Sequence, residues 1–135
     1  MQDPKKTIVS VLDRYLGCYC AQDVPGLLKL FHLESPHFCF LGIGMNEKAS
    51  SADDLRRIFQ SYFKQGKAIY AKGEYSICRI EAPYAWLMGE FVFRVAIEHG
   101  GEAILNPRIS GVFEKVGQTW LIQNLHCSMP WLDRH

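Results

Sequence analysis

The sequence predicts an α+β domain: three N-terminal helices packed on one face of a mostly antiparallel sheet. Two observations carry this. Apolar residues recur at helical spacing as far as Gly66, and long stretches of strict alternation replace that spacing from Tyr70 onward. A length of 135 residues suits a single domain, 1–135, with one core.

Taken in order, Asp3 caps a first helix with Pro4 at its first position. Ile8, Val9, Leu12, Leu16 and Tyr19 give it an apolar stripe as far as about Cys20. Asp23 caps a shorter second helix with Leu27, Leu28, Leu30 and Phe31 facing inward, ended by Glu34-Ser35-Pro36. The run from His37 to Gly44 reads as a short strand leading into a glycine bend. Ser51 and Asp54 form a near capping box, followed by the stripe Leu55, Ile58, Phe59, Tyr62 and Phe63, and the helix stops near Gly66. Tyr70 to Ile80 is the first long strand, and Pro83 breaks it. Ala85 to Glu98 is the second, with Leu87, Gly89, Phe91, Phe93, Val95 and Ile97 on an apolar face and Trp86, Met88, Glu90, Val92 and Arg94 on a mixed one. His99-Gly100-Gly101 turns the chain into a return strand, Glu102 to Lys115, and Gly117-Gln118 turns it into the closing strand.

Composition narrows the function. Hydrophobic residues make up 48% of the chain and the formal net charge is +1, which argues against disorder and against a nucleic-acid surface. The start, Met1-Gln2-Asp3-Pro4-Lys5-Lys6, leads into an amphipathic segment that is neither a secretory h-region nor a membrane span, so a cytoplasmic protein without a membrane partner is expected. Five cysteines, an odd number, fit reduced thiols better than a disulfide framework.

The closing strand is the most informative segment. A strand points alternate side chains to one face, so Trp120, Ile122, Asn124, His126 and Ser128 share a side that ends in an amide, an imidazole and a hydroxyl. That pattern suits the polar end of a ligand pocket or a satisfied buried network. The mixed face of the second long strand points to a homodimer through the open sheet face, with Glu90 and Arg94 matched across the two-fold; a monomer with a greasy surface is the plain alternative.

With the element order, Arg108-Ile109-Ser110-Gly111-Val112-Phe113, Trp120 and the closing His126-Cys127-Ser128-Met129-Pro130, the chain resembles a SnoaL-like domain of the nuclear-transport-factor-2-like superfamily. Phe38-Cys39-Phe40-Leu41-Gly42 is a weaker match. The closing strand is also similar to that of the association domain of calcium/calmodulin-dependent kinases, with Asn124 in place of that pattern's first His. The resemblance implies a cystatin-like cone, its sheet strongly bent around the helices, open at one end to a pocket, and commonly dimeric. It also implies a wide range of activities, from isomerases and cyclases to sensory and oligomerising modules, so residues must decide between them.

Isomerase or cyclase chemistry needs a base in an apolar pocket and a donor facing the developing oxyanion. The aspartates Asp3, Asp13, Asp23, Asp53, Asp54 and Asp133 all lie off the long strands, Glu90 faces outward, and Glu74 or Glu114 reaches the pocket only if a bulge reverses its face. His126 is the remaining acid/base, with Tyr15, Tyr19 or Tyr62 as donor. Arg108 either binds a carboxylate or phosphate through its planar fork or forms a salt bridge with Glu74, Glu102 or a helix carboxylate. The two-residue turn Gly117-Gln118 sets it opposite Cys127, and a bulge or a three-residue turn sets it on the His126 side. No metal is expected: Cys18 and Cys20 diverge on a helix, and His32, His37 and Cys39 match no zinc spacing. Gly42-Ile43-Gly44 lacks the Lys-Ser or Lys-Thr of a phosphate loop.

The reading is a dimeric domain, in a sensory setting by resemblance, that binds a small apolar or anionic molecule. Its expected ligand-binding residues are Arg108, Trp120, Asn124, His126, Ser128, Tyr15 and Tyr62, with no cofactor and no assigned catalytic residue. An isomerase, cyclase or dehydratase using His126 is the alternative, and an oligomerisation module with a filled cone is a third.

Overall fold

Three helices and seven strands make up residues 3–130, the part of the chain described by the computed structural model. Asp133, counted among the aspartates above, and the Met1-Gln2 start lie outside the described residues. Helix α1, Pro4–Cys20, begins where Asp3 accepts a hydrogen bond from Lys5 N and buries Ile8, Val11, Leu12, Tyr15 and Leu16. Val11 and Tyr15 replace Val9 on the innermost line of the stripe, which moves Tyr15 from the helix flank into the core. Helix α2, Val24–Leu28, is capped by Asp23 and is short. Its chain then leaves the helix so that Phe31 bridges Ile122 of the last strand, with His32 N donating to Ile122 O at 2.8 Å. Helix α3, Ala52–Gln65, starts at the Ser51 cap and ends at Gly66 as predicted.

The strands are β1 Cys39–Leu41, β2 Lys48–Ala49, β3 Lys67–Glu81, β4 Tyr84–Ile97, β5 Gly101–Leu105, β6 Arg108–Val116 and β7 Thr119–Ser128. They form one sheet in the order β2-β1-β7-β6-β4-β3, with β5 added on β4. Only the β1–β7 pair is parallel. The result is the expected mostly antiparallel, unclosed sheet against N-terminal helices.

The single return strand of the sequence reading is two strands. Pro107 has no N–H to place in a ladder, and at Asn106-Pro107 the chain changes partners along β4: β5 pairs with Phe93–Ile97 and β6 with Tyr84–Glu90. The break is stitched by Asn106 Nδ2 donating to Phe91 O at 2.7 Å and Phe91 N donating to Pro107 O at 2.9 Å. The alternation of β4 holds as predicted over most of its length: Ala85, Leu87, Phe91 and Phe93 are buried, while Tyr84, Trp86, Met88, Glu90 and Arg94 are exposed. Arg94 does not stand free for a partner subunit, because its guanidinium is bonded to Glu102 of the same chain at 3.0 Å.

Aromatic rings fill the space between helices and sheet. Phe59 is fully buried, with Tyr15, Phe31, Phe40 and Phe63 around it at ring-centroid distances of 5.8 to 6.3 Å. A partly buried polar network satisfies itself beside β7: Glu114 accepts from Gln123 Nε2 at 2.9 Å and pairs with His32 Nδ1 at 2.8 Å, and Gln123 reaches Ser35.

Candidate functional site

A β-bulge decides which residues form the site. Phe113 pairs with Ile122 and Val112 with Asn124, which leaves Gln123 as an extra residue in β7. Before it, Trp120 and Ile122 face the core; after it, Leu125 and Cys127 do. The face expected to run from Trp120 to Ser128 therefore divides in two. Trp120 is a core residue, His126 and Ser128 are exposed on the outer surface of the sheet, and Asn124 ties down a loop by donating to His37 O at 2.7 Å. Ser110 pairs with His126 and Arg108 with Ser128, so Arg108 does share the His126 side, as a bulge requires. That side is the outer one. Arg108 is exposed and forms no ion pair among the described residues, and its register partner on β4 is Glu90. An enzyme reading based on His126 thus loses its base, and Glu114 stays with His32 and Gln123.

The cone holds a cavity of about 490 Å³ between α1, α3 and the inner face of β4, β5 and the end of β7. It is not filled by its own side chains. Of the seven expected site residues, Tyr15 and Tyr62 line it. Phe91, Phe93 and Val95 form the sheet wall, and the partly exposed Ile43, Ile97, Leu105 and Met129 mark the rim.

The polar groups of this cavity gather around Glu47, which sequence reasoning missed. Glu47 lies on the loop between β1 and β2. Its Oε1 accepts a hydrogen bond from the Tyr62 hydroxyl and its Oε2 accepts one from Gly44 N at 3.0 Å. The loop closes on itself through Gly42 N to Glu47 O at 2.7 Å and Glu47 N to Gly44 O at 3.1 Å. A Cβ on Gly42 would collide with the Tyr62 hydroxyl and Glu47, and one on Gly44 with Glu47 Oε2. The Gly42-Ile43-Gly44 bend is therefore a seat for a carboxylate. In the sequence the only signal is the glycine pair just ahead of a glutamate, which by itself reads as a turn.

Two tyrosines of α1, one turn apart, complete the polar end. Tyr15 is 3% exposed, and neither its hydroxyl nor that of Tyr19 takes part in a hydrogen bond among the described residues. Burial holds both phenols above their ordinary titration range, reinforced by the nearby Cys127 thiol. Burial also raises Tyr62, and its bond to Glu47 adds to the effect. Cys127 is pushed up to about 12, first by burial and then by the Glu47 charge. At neutral pH the cavity thus presents three phenol hydroxyls and a thiol, all protonated, around one carboxylate. Among the described residues no group of three His, Cys, Asp or Glu side chains is arranged to hold a metal ion.

A family model described as a SnoaL-like domain matches residues 8–131, and the chain belongs to that family, within the nuclear-transport-factor-2-like superfamily. Solved structures share the fold at low identity. A ketosteroid isomerase-like protein from Erwinia carotovora atroseptica is 14% identical with a TM-score of 0.80, over 98% of this chain and 100% of that one. A nuclear transport factor 2 superfamily protein from Salmonella enterica is 17% identical with a TM-score of 0.77, over 95% and 92%. A putative calcium/calmodulin-dependent protein kinase II association domain from Xanthomonas campestris is 18% identical with a TM-score of 0.74, over 96% and 89%. No curated protein matches the chain. No helix among the described residues is long and apolar enough to cross a membrane.

Proposed function

We propose that this domain binds a small, largely apolar molecule inside the cone. The observation that carries the reading is the cavity of about 490 Å³, apolar along the sheet wall and polar at the Glu47 end, the composition typical of a small-molecule site. The neutral fluorescent probe N-phenylnaphthylamine should bind with enhanced emission, and Ala103→Trp, which places an indole in the cavity from its rim, should abolish the signal without changing the circular dichroism. Equal binding by wild type and Ala103→Trp counts against the cavity.

A second reading rests on Glu47. A carboxylate fixed beside the Tyr62 hydroxyl, with the Tyr15 and Tyr19 hydroxyls free to donate, is an arrangement for removing a proton next to a ligand carbonyl and stabilising the resulting enolate. It replaces the His126 version of the enzyme. Deuterium exchange at the carbon next to the carbonyl of a bound cyclic ketone, lost in Glu47→Gln, is the result expected of it; exchange unaffected by that substitution excludes Glu47 as the base.

The outer face of the sheet carries the proposed homodimer contact. Trp86, Met88 and Tyr84 are 41 to 52% exposed on one strand, flanked by Ser110 and His126. Pairing two such faces would bury them, and a sensory domain could pass on cavity occupancy through that contact. Met88→Lys places like charges together across a two-fold and should give monomers by light scattering. A wild-type monomer, or a dimer that tolerates Met88→Lys, rejects this face.

A further inference from the structure

Charge around the cavity is one-sided. Glu47 is the sole charged side chain among the described lining residues, and lysine, arginine and histidine are absent from the wall. Six aromatic rings line the same space: Tyr15, Tyr19, Phe40, Tyr62, Phe91 and Phe93. An anionic ligand would meet the Glu47 carboxylate with no lysine, arginine or histidine among the described lining residues to offset it, so the anionic half of the ligand expectation has no support in this wall.

A cation meets the opposite situation. Each Glu47 oxygen accepts one bond among the described residues, Tyr62 to Oε1 and Gly44 N to Oε2, and a carboxylate has about four acceptor positions, so acceptor capacity is left for a ligand. Tyr15 is 3% exposed and its hydroxyl has no partner among the described residues, and Tyr19 stands beside it with its hydroxyl also unpartnered among them. A phenol oxygen accepts as well as donates. Aromatic faces attract ammonium groups when those groups are partly desolvated. Burying an ammonium is favourable only where a carboxylate and further acceptors replace its water, and this polar end supplies both.

We propose that the ligand is an organic cation: a protonated amine on an apolar body, its ammonium paired with Glu47 near the Tyr15 and Tyr19 hydroxyls and its body along the Phe93, Val95 and Leu105 wall. This rests on the cavity being a binding site. It differs from the enolate reading because Glu47 here is a counter-charge and takes no proton from carbon.

The matched set tryptamine, tryptophol and indoleacetate keeps one ring system and changes only the head group from cation to neutral to anion. Titration calorimetry at neutral pH on the intact chain should rank tryptamine first, at least about tenfold tighter than tryptophol, with indoleacetate weakest. Glu47→Gln should remove the amine's advantage and leave tryptophol within about twofold. Tyr15→Phe should weaken tryptamine selectively, and it tests the same end if Glu47→Gln does not fold. Tryptophol equal to or tighter than tryptamine, or an amine preference that survives Glu47→Gln, overturns the proposal while the cavity reading stands. Failure of all three to bind where N-phenylnaphthylamine still binds overturns it in the same way. Failure of that probe as well removes the cavity reading and the proposal together.

Discussion

Phe59→Ala is expected to destabilise the domain by about 3–5 kcal/mol, the range for truncating a fully buried aromatic side chain. Phe59 has no exposed surface, and six rings lie within 6.5 Å of its own, centroid to centroid: Tyr15, Tyr19, Phe31, Phe40, Tyr62 and Phe63. These rings come from α1, the segment after α2, β1 and α3, so a single truncation loosens the packing of the helices on one another and on β1. Collapse around the hole is resisted because the neighbours are rigid rings rather than flexible chains. Three of them, Tyr15, Tyr19 and Tyr62, also carry the polar end of the cavity, so probe binding should weaken along with stability. Urea unfolding followed by circular dichroism measures the first effect. A loss below about 1 kcal/mol would show that this cluster is not the centre of the core.

The elements were legible where one physical rule acted alone. Ser51 and Asp54 mark the start of α3, Gly66 marks its end, and the alternation of β4 separates Leu87, Phe91 and Phe93 from Trp86, Met88 and Glu90, as observed. The site was less legible because it depends on events between strands. Unbroken alternation in β7 puts His126 and Asn124 on the face of Trp120, yet a single extra residue, Gln123, reverses every side chain beyond it. Nothing local requires the bulge at that point. Gln123 is held there by Ser35 and Glu114, residues 88 and 9 positions away, and such contacts leave no periodic trace. Inward-facing polar groups were sought on the last strand, whereas the bulge delivers Leu125 and Cys127 inward and leaves the polar role to a loop. Glu47 owes its position to Gly42 and Gly44, whose missing side chains make the space it occupies. Tyr15 and Tyr62 line the cavity from α1 and α3, where side-chain direction does not depend on strand register.

The second large effect is loss of stability in alkali. Cys127 titrates at about 12 in the folded protein against an ordinary 9.0, so between those values the folded state holds a proton that the unfolded chain has released. Stability changes with pH in proportion to the protons bound by the unfolded state minus those bound by the folded state, and that difference is negative here. The contribution is fully present below pH 9.0 and is lost as pH rises towards about 12. Tyr15, Tyr19 and Tyr62 act in the same direction from their ordinary 10.0 upward, each raised mainly by burial. Four such groups share one cavity; the Glu47 charge acts on Cys127, Tyr19 and Tyr62, and Cys127 acts on all three tyrosines, so their losses reinforce one another. Urea unfolding across this range should therefore show stability falling steadily, and in a Tyr70→Phe/Tyr84→Phe background, which removes the two exposed phenols, the folded protein's phenolate absorbance should be delayed until the fold gives way. Cys127→Ala removes the most strongly raised thiol and should make the fall between about pH 9 and about pH 10 shallower, leaving the smaller contributions of Cys18, Cys20 and Cys78, each raised mainly by burial, before the tyrosines take over. In the Tyr70→Phe/Tyr84→Phe background, a folded protein whose phenolate absorbance rises at the ordinary value, or whose stability is level across this range, would mean that the phenols at the cavity's polar end are in contact with bulk water. The cavity would then be too wet for Glu47 and its hydroxyls to discriminate between head groups.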